Sequence, residues 1–289
     1  MVKAAVKQAC AKSVRKLHIK TKATKKTGNN DTTTITDEAE WYNAESDITS
    51  LRRMMKKFRG VRDLSCLDLF GASGAIKKAW SGHHKKAELY DIKTNGPQHD
   101  ICSEGGFENL MRMGLRIKPG GVIVAGPPCS LFIFLSSSIH RRSPHRPWGN
   151  QEYRSVRLSN CIVRNMTTFL QLMSERHVRW VIEQPSGSQM FRLPPLRRLM
   201  REVDAVPVTT YMGCFAHKMK KRTILVGTLP SLPRMERSLR PEDRKRFDKN
   251  RRKFYIRCDG KVHGTKALQS SADYTPQFCE ALYTCWKEK

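Results

Sequence analysis

Acidic residues are scarce in this chain: 26 Asp and Glu face 54 Lys and Arg, which leaves a net charge of +28 over 289 residues. Long apolar runs are missing. None approaches the ~20 residues that a membrane span requires, so a membrane is not among the expected partners. Cys-x-x-Cys pairs are missing too. The nine cysteines are an odd number, scattered along the chain; that usage suits reduced thiols inside a cell and offers no zinc framework, so no metal is expected. No internal repeat points to a solenoid or an array. Within the first 30 residues there is no acid at all, against nine Lys or Arg, and residues 1–36 read as a basic, disordered arm.

A hydrophobic content of 39% over this length suits one main domain with extensions. The positive charge exceeds what solubility needs and sets up a field that would concentrate a polyanion, nucleic acid before any other. The plain alternative is a highly charged, solvated surface without a specific partner. In the basic arm Val2, Val6, Cys10, Val14 and Leu17 recur at helical spacing, which sets an organelle-targeting helix against a nuclear location; the single Arg15 weakens that rival, and a nucleus is expected.

After a Gly-Asn-Asn-Asp-Thr linker, Trp41, Ala44, Ile48, Leu51, Met55 and Phe58 step by three and four, predicting an amphipathic helix that ends at Gly60. Short apolar strands then alternate with helical segments: strands over 65–70, 87–90, 122–125 and 178–182, helices around 76–80, 107–115 and 153–176. That alternation predicts an α/β fold, a mostly parallel sheet with helices on both faces. The segments 205–211 and 223–226 have no helix-length crossover between them and predict an antiparallel edge. The expected domain therefore spans 37–229. A basic, Pro- and Arg-rich surface segment is expected over 230–262, with 11 Lys or Arg between Arg234 and Arg257 against four acids, and over 263–289 a helix carrying Phe278, Leu282 and Trp286 that packs back on the domain.

Three strand ends carry residues suited to chemistry. Asp68-Leu69-Phe70 gives way to Gly71-Ala72-Ser73-Gly74 before a helix; glycines let backbone approach a ligand, and a helix start offers unpaired N–H groups. Asp91 ends the second strand, where open α/β sheets present an acid to ribose hydroxyls. An ordinary βα turn and a strand-end acid explain both features equally well on their own. Gly126-Pro127-Pro128-Cys129 follows the third strand directly, and its prolines stiffen the loop that presents the thiol. A lone cysteine is usually a small buried hydrophobe, but Cys129 departs from that by position. Glu183-Gln184-Pro185 ends a neighbouring strand, so a nucleophile and a proton donor are expected at one sheet edge.

Together these residues resemble the DNA/RNA cytosine-5 methyltransferases. Asp68-Leu69-Phe70-Gly71-Ala72-Ser73-Gly74 is similar to the family's Asp-Leu-Phe-Ala-Gly-x-Gly-Gly donor loop, Asp91 to its ribose-binding acid, and His99-Asp100-Ile101 to the Asp-Ile that contacts the adenine. Gly126-Pro127-Pro128-Cys129-Ser130 resembles the Pro-Cys nucleophile motif, Glu183-Gln184-Pro185 stands where the family has Glu-Asn-Val, and Lys218-Met219-Lys220-Lys221-Arg222 is similar to Gln-x-Arg-x-Arg. The six matches run in order from residue 65 to 227. The resemblance implies a Rossmann-like methyltransferase fold, S-adenosylmethionine held by Asp68, Phe70, Gly71, Ser73, Gly74, Asp91, Asp100, Ile101 and Pro127, and methyl transfer to C5 of cytosine by Cys129 and Glu183 with Lys220 and Arg222 beside them. The target base would be flipped out or single-stranded, with DNA slightly favoured over RNA. The stretch 136–147, with Arg141, Arg142, His145 and Arg146, would close on phosphates; its plain reading is a solvated loop.

The departures bear on the same expectations. Ala72 and Ala75 replace family glycines, Gln184 an asparagine, and Lys218 and Lys220 a glutamine and an arginine. Only 62 residues follow Gly227, too few for the family's large reading module. Specificity then falls to the 230–257 segment or a partner protein, or the substrate is structured RNA, or sequence is not read. The rival of a different class is a nucleic-acid-binding protein that keeps the fold with a degenerate donor pocket. An amino-methyltransferase would want Asp or Asn before Pro-Pro and an aromatic after it, against Gly126 and Cys129.

Overall fold

The structure is a computed structural model that describes residues 41–250, 254–258, 261–265 and 272–288; the arm expected over 1–36 lies outside them. Six strands, β1 (Leu64–Leu69), β2 (Ala87–Tyr90), β3 (Ile117–Ala125), β4 (Arg179–Pro185), β5 (Val206–Tyr211) and β6 (Arg222–Gly227), form one sheet in the order β2-β1-β3-β4-β6-β5. β1 is buried at every position, as a strand covered on both faces must be. β2, β1, β3 and β4 run parallel, whereas β6 is antiparallel to both β4 and β5. The antiparallel pair thus forms at the sheet edge, with the reversed strand one position in. A helix separates β4 from β5, long enough for a parallel crossover, but only residues 212–221, opening with the turn Met212–Phe215, lie between β5 and β6, which forces the chain back on itself.

Side-chain alternation along the strands builds two cores. In β3, Ile123 and Ala125 join Phe107, Leu110, Phe169 and Leu170 on one face; Val122 and Val124 join Ile76, Trp80, Phe278 and Leu282 on the other. The first face is covered by α1 (Ile48–Lys57), α3 (Glu104–Leu115), α4 (Arg154–Ser174) and α5 (Pro194–Glu202), the second by α2 (Ala75–Gly82). The segment expected as basic surface carries α6 (Pro241–Asn250), yet it also buries Leu232, Met235, Leu239 and Phe247, the first two as part of the second core. The strands β7 (Tyr255–Cys258) and β8 (Lys261–Gly264) form a separate antiparallel pair. The last helix, α7 (Pro276–Lys287), lies against α2: Tyr283 meets Trp80 edge-on at 5.2 Å, and the Trp286 indole N–H donates to Gly120 O at 2.9 Å. Among the described residues no helix is long and apolar enough to cross a membrane.

From β1 the chain steps to β2 on one side and returns through β3 on the other. Such a reversal opens a crevice beyond the carboxyl ends of the two strands. Here those ends are stitched together, Gly126 N donating to Leu69 O at 3.0 Å and Phe70 N to Tyr90 O at 2.8 Å.

Candidate functional site

The loop beyond β1 is tightly wound. Phe70 (φ 61°), Ala72 (φ 42°) and Gly74 (φ 66°) are all left-handed, a conformation that costs about 1 kcal/mol or more at a residue with a Cβ. Gly71 has no alternative, since a Cβ there would come within 2.0 Å of Asp68 Oδ1. Asp91 holds the loop in place: Oδ2 accepts from Ala72 N at 3.1 Å, while Oδ1 accepts from Lys93 N at 2.8 Å and Thr94 N at 3.3 Å. A carboxylate has about four acceptor sites, so one remains for a ligand hydroxyl. Beside it Ile92 is 47% exposed, an apolar face the sequence reading missed. Ser73 is exposed at the loop's tip.

Asp68 lies beneath this loop, 1% exposed. Its Oδ2 accepts from Lys77 N at 3.1 Å, and its Oδ1 is buried without a hydrogen-bond partner. Burial, opposed by the Lys77 N–H, pushes its carboxyl up to about 7 from an ordinary 3.8. Between about pH 4 and pH 7 the folded protein therefore holds a proton that the unfolded chain has lost, and stability falls as pH rises through that window, by an amount on the order of 4 kcal/mol. In Asp68→Asn this fall is expected to flatten, which thermal melts at pH 4.5 and pH 7.5 (about the two ends of the window) would reveal as a smaller difference than in the native protein.

Where the adenine contact is expected, Asp100 is half-buried and Ile101 turns its side chain into the core. Asp100 Oδ1 accepts from Cys102 N at 2.9 Å in a local turn, and Ile101, 2% exposed, packs in the core. The Ile101 carbonyl accepts from the Asn165 side-chain amide of α4 at 2.9 Å.

At the ends of β3 and β4 the expected pair is brought together. The Gln184 side-chain amide donates to Pro127 O at 2.7 Å and its oxygen accepts from the Ser188 hydroxyl at 2.9 Å, which ties the Pro-Pro-Cys loop to β4. Pro127 is buried and Cys129 half-buried, just where the chain turns into Ser130–Phe132. Burial first, then the Glu183 carboxylate, push the Cys129 thiol above its usual range, while Lys221 pulls it back. Glu183 is 6% exposed; its Oε2 accepts from the Tyr274 hydroxyl at 3.2 Å and its Oε1 faces Lys221 Nζ at 3.4 Å.

Lys221, not Lys220 or Arg222, is thus the cation at Glu183. Lys220 Nζ instead pairs with Asp248 of α6 at 2.7 Å, and Arg222 is exposed. Lys221 has a φ of 26°, so the alternation that would have turned its neighbours inward is broken at the entrance to β6. Tyr274 was also missed, since nothing in its local sequence marks it.

Arg142 is corrected as well. Read from the sequence as a phosphate contact, it is 7% exposed and donates to Leu131 O, Pro147 O, Asn160 Oδ1 and Ser159 Oγ, each within 2.9 Å, with its guanidinium 4.1 Å above the Phe132 ring. It is the peg that fastens the loop to α4. Arg141 and Arg146 are exposed, and so is Phe134, at 86%. A cavity of about 400 Å³ lined by residues 145–152, including Trp148 and Asn150, lies on this loop and not at Cys129. Among the described residues no cluster of His, Cys, Asp and Glu is arranged to hold a metal. No protein-family model and no curated protein matches the chain.

Proposed function

We propose that this protein transfers a methyl group from S-adenosylmethionine to C5 of cytosine in nucleic acid. The observation that carries the reading is the convergence of Cys129, Glu183 and the Asp68–Asp91 loop beyond the carboxyl ends of β1, β3 and β4, at the sheet's switch point. The residues fit the donor: Asp91 keeps one acceptor for a ribose hydroxyl, Ile92 offers an apolar face to a purine, and the unpaired Asp68 Oδ1 awaits a donor such as an ammonium group. S-adenosylmethionine supplies, when bound, an electrophilic methyl group; the rest is the work of the chain itself. Cytosine C5 is too weakly nucleophilic unaided. The Cys129 thiolate adds to C6 and makes C5 enamine-like, Glu183 holds or protonates N3, and after transfer a solvent water takes the C5 proton as the C6–S bond breaks and the thiolate leaves.

In the resting site the thiol is protonated at neutral pH, since burial and Glu183 both oppose its charge. Once a base ring engages the Glu183 carboxylate, that opposition weakens and Lys221 is left to favour the thiolate. Nucleophile activation is then coupled to base binding. The excess of 28 positive charges, with Arg141 and Arg146 at the loop, supplies attraction to phosphates. A second reading, a binding protein without catalysis, draws on the left-handed Ala72 and the raised Cys129 thiol.

The test is covalent trapping. Protein, S-adenosylmethionine and DNA or RNA pools carrying 5-fluorocytosine are expected to yield a denaturation-resistant adduct, because fluorine at C5 cannot leave as a cation. An adduct with DNA, with RNA or with both names the substrate. Binding of both pools with no adduct in either overturns the transfer reading in favour of the second.

A further inference from the structure

Tyr274 sits just before α7, far in sequence from every other group of the site, yet its side chain reaches Glu183. The next residue anchors it: the Thr275 hydroxyl caps α7 by accepting from Phe278 N at 3.3 Å and donates to Phe215 O at 2.6 Å. The ring packs 5.1 Å from Phe278, and the hydroxyl lies against Gly126, where a Cβ would come within 2.5 Å of Tyr274 Oη. No positive φ requires glycine there. What requires it is the space for this hydroxyl. Burial, then Glu183 and Asp68, hold the phenol well above its usual range, so it stays a neutral donor throughout the working pH.

We propose, on the basis of the cytosine reading above, that Tyr274 is the positioning residue of Glu183. Its O–H donates to Oε2, which fixes the carboxylate rotamer, takes up part of its charge and leaves Oε1 to Lys221 and an incoming ring. Gly126 belongs to the same device, as the clearance that lets the hydroxyl reach.

Two readouts test this, one needing no activity. Alkylation of Cys129 by iodoacetamide, followed against pH by peptide mass spectrometry, reports the charge that Glu183 presents to the thiol. In Tyr274→Phe, which keeps the ring, that charge loses its partner and the midpoint of alkylation is expected to rise by about half a pH unit. In Glu183→Gln it falls, and Tyr274→Phe added to Glu183→Gln changes nothing further, the mark of action through Glu183. Gly126→Ala, which displaces the hydroxyl and leaves the tyrosine in place, should repeat Tyr274→Phe. In the trapping assay both variants are expected to form adduct about 100-fold more slowly, with unchanged calorimetric affinity for S-adenosylmethionine.

A merely structural tyrosine would lower the melting temperature and leave the midpoint and the trapping rate where they were; that result overturns the proposal. If the coupled shift appears but native protein gives no adduct, Tyr274 keeps its role and the cytosine reading is what fails. If native protein and both variants trap equally fast with identical alkylation profiles, the cytosine reading stands and the positioning role does not.

Discussion

Serine in place of Cys129 is expected to remove methyl transfer almost entirely, by at least ~1,000-fold in single-turnover rate, because an alcohol in this site has neither the acidity nor the nucleophilicity of a thiol. The substitution is close in size and the loop is held elsewhere, by Gln184 on Pro127 and by Gln189 N on Phe132 O at 2.8 Å. The fold and the β1 loop should therefore be untouched, and calorimetric affinity for S-adenosylmethionine should stay within about twofold of native, since binding and chemistry are being separated. Transfer surviving within tenfold of the native rate would sink the thiol mechanism, whatever the donor affinity.

The second large effect is on stability. Arg142→Ala leaves four acceptors of the loop and of α4 facing one another without a donor, and removes the cation over Phe132. The cost is expected to be about 3 kcal/mol, roughly 10 °C in melting temperature for a domain of this size. Arg142→Lys should recover little, because one ammonium cannot span four acceptors that a planar fork meets together. For nucleic acid the order reverses. Arg141→Ala and Arg146→Ala should each lower the slope of log affinity against log salt by about 0.9 if their phosphates are on a duplex, with little change in melting, and Arg142→Ala should leave the slope intact. A lowered slope for Arg142→Ala at unchanged melting temperature would show that its place is on phosphate after all.

Much of this architecture was legible because the signals are local. A buried parallel strand is a short apolar run, as at Val122–Ala125, and a covering helix repeats every three or four residues, as α4 does from Val156 to Met173. Missing crossover length between 211 and 223 likewise foretold the antiparallel pair. Strand ends can be read with equal directness, and Asp68, Asp91, Cys129 and Glu183 stand out there. Side-chain direction was not legible outside regular elements. Lys221 faces Glu183 only because a left-handed residue interrupts the alternation before β6, and Arg142 turns inward only because Asn160 and Ser159 on α4 supply acceptors, 18 and 17 residues further on.

The sequence by itself determined the class of sheet, the order of its strands along the chain, the residues at their carboxyl ends and the positive charge that surrounds them, since each depends on a residue and its near neighbours. Only the tertiary structure decided which of those groups meet: the crevice between β1 and β3, the choice of Lys221 over Lys220 beside Glu183, the withdrawal of Arg142 from the surface and the arrival of Tyr274 over Gly126. Those contacts join separate elements of the chain, and their energies come from desolvation and hydrogen-bond geometry that exist only once the chain has closed on itself.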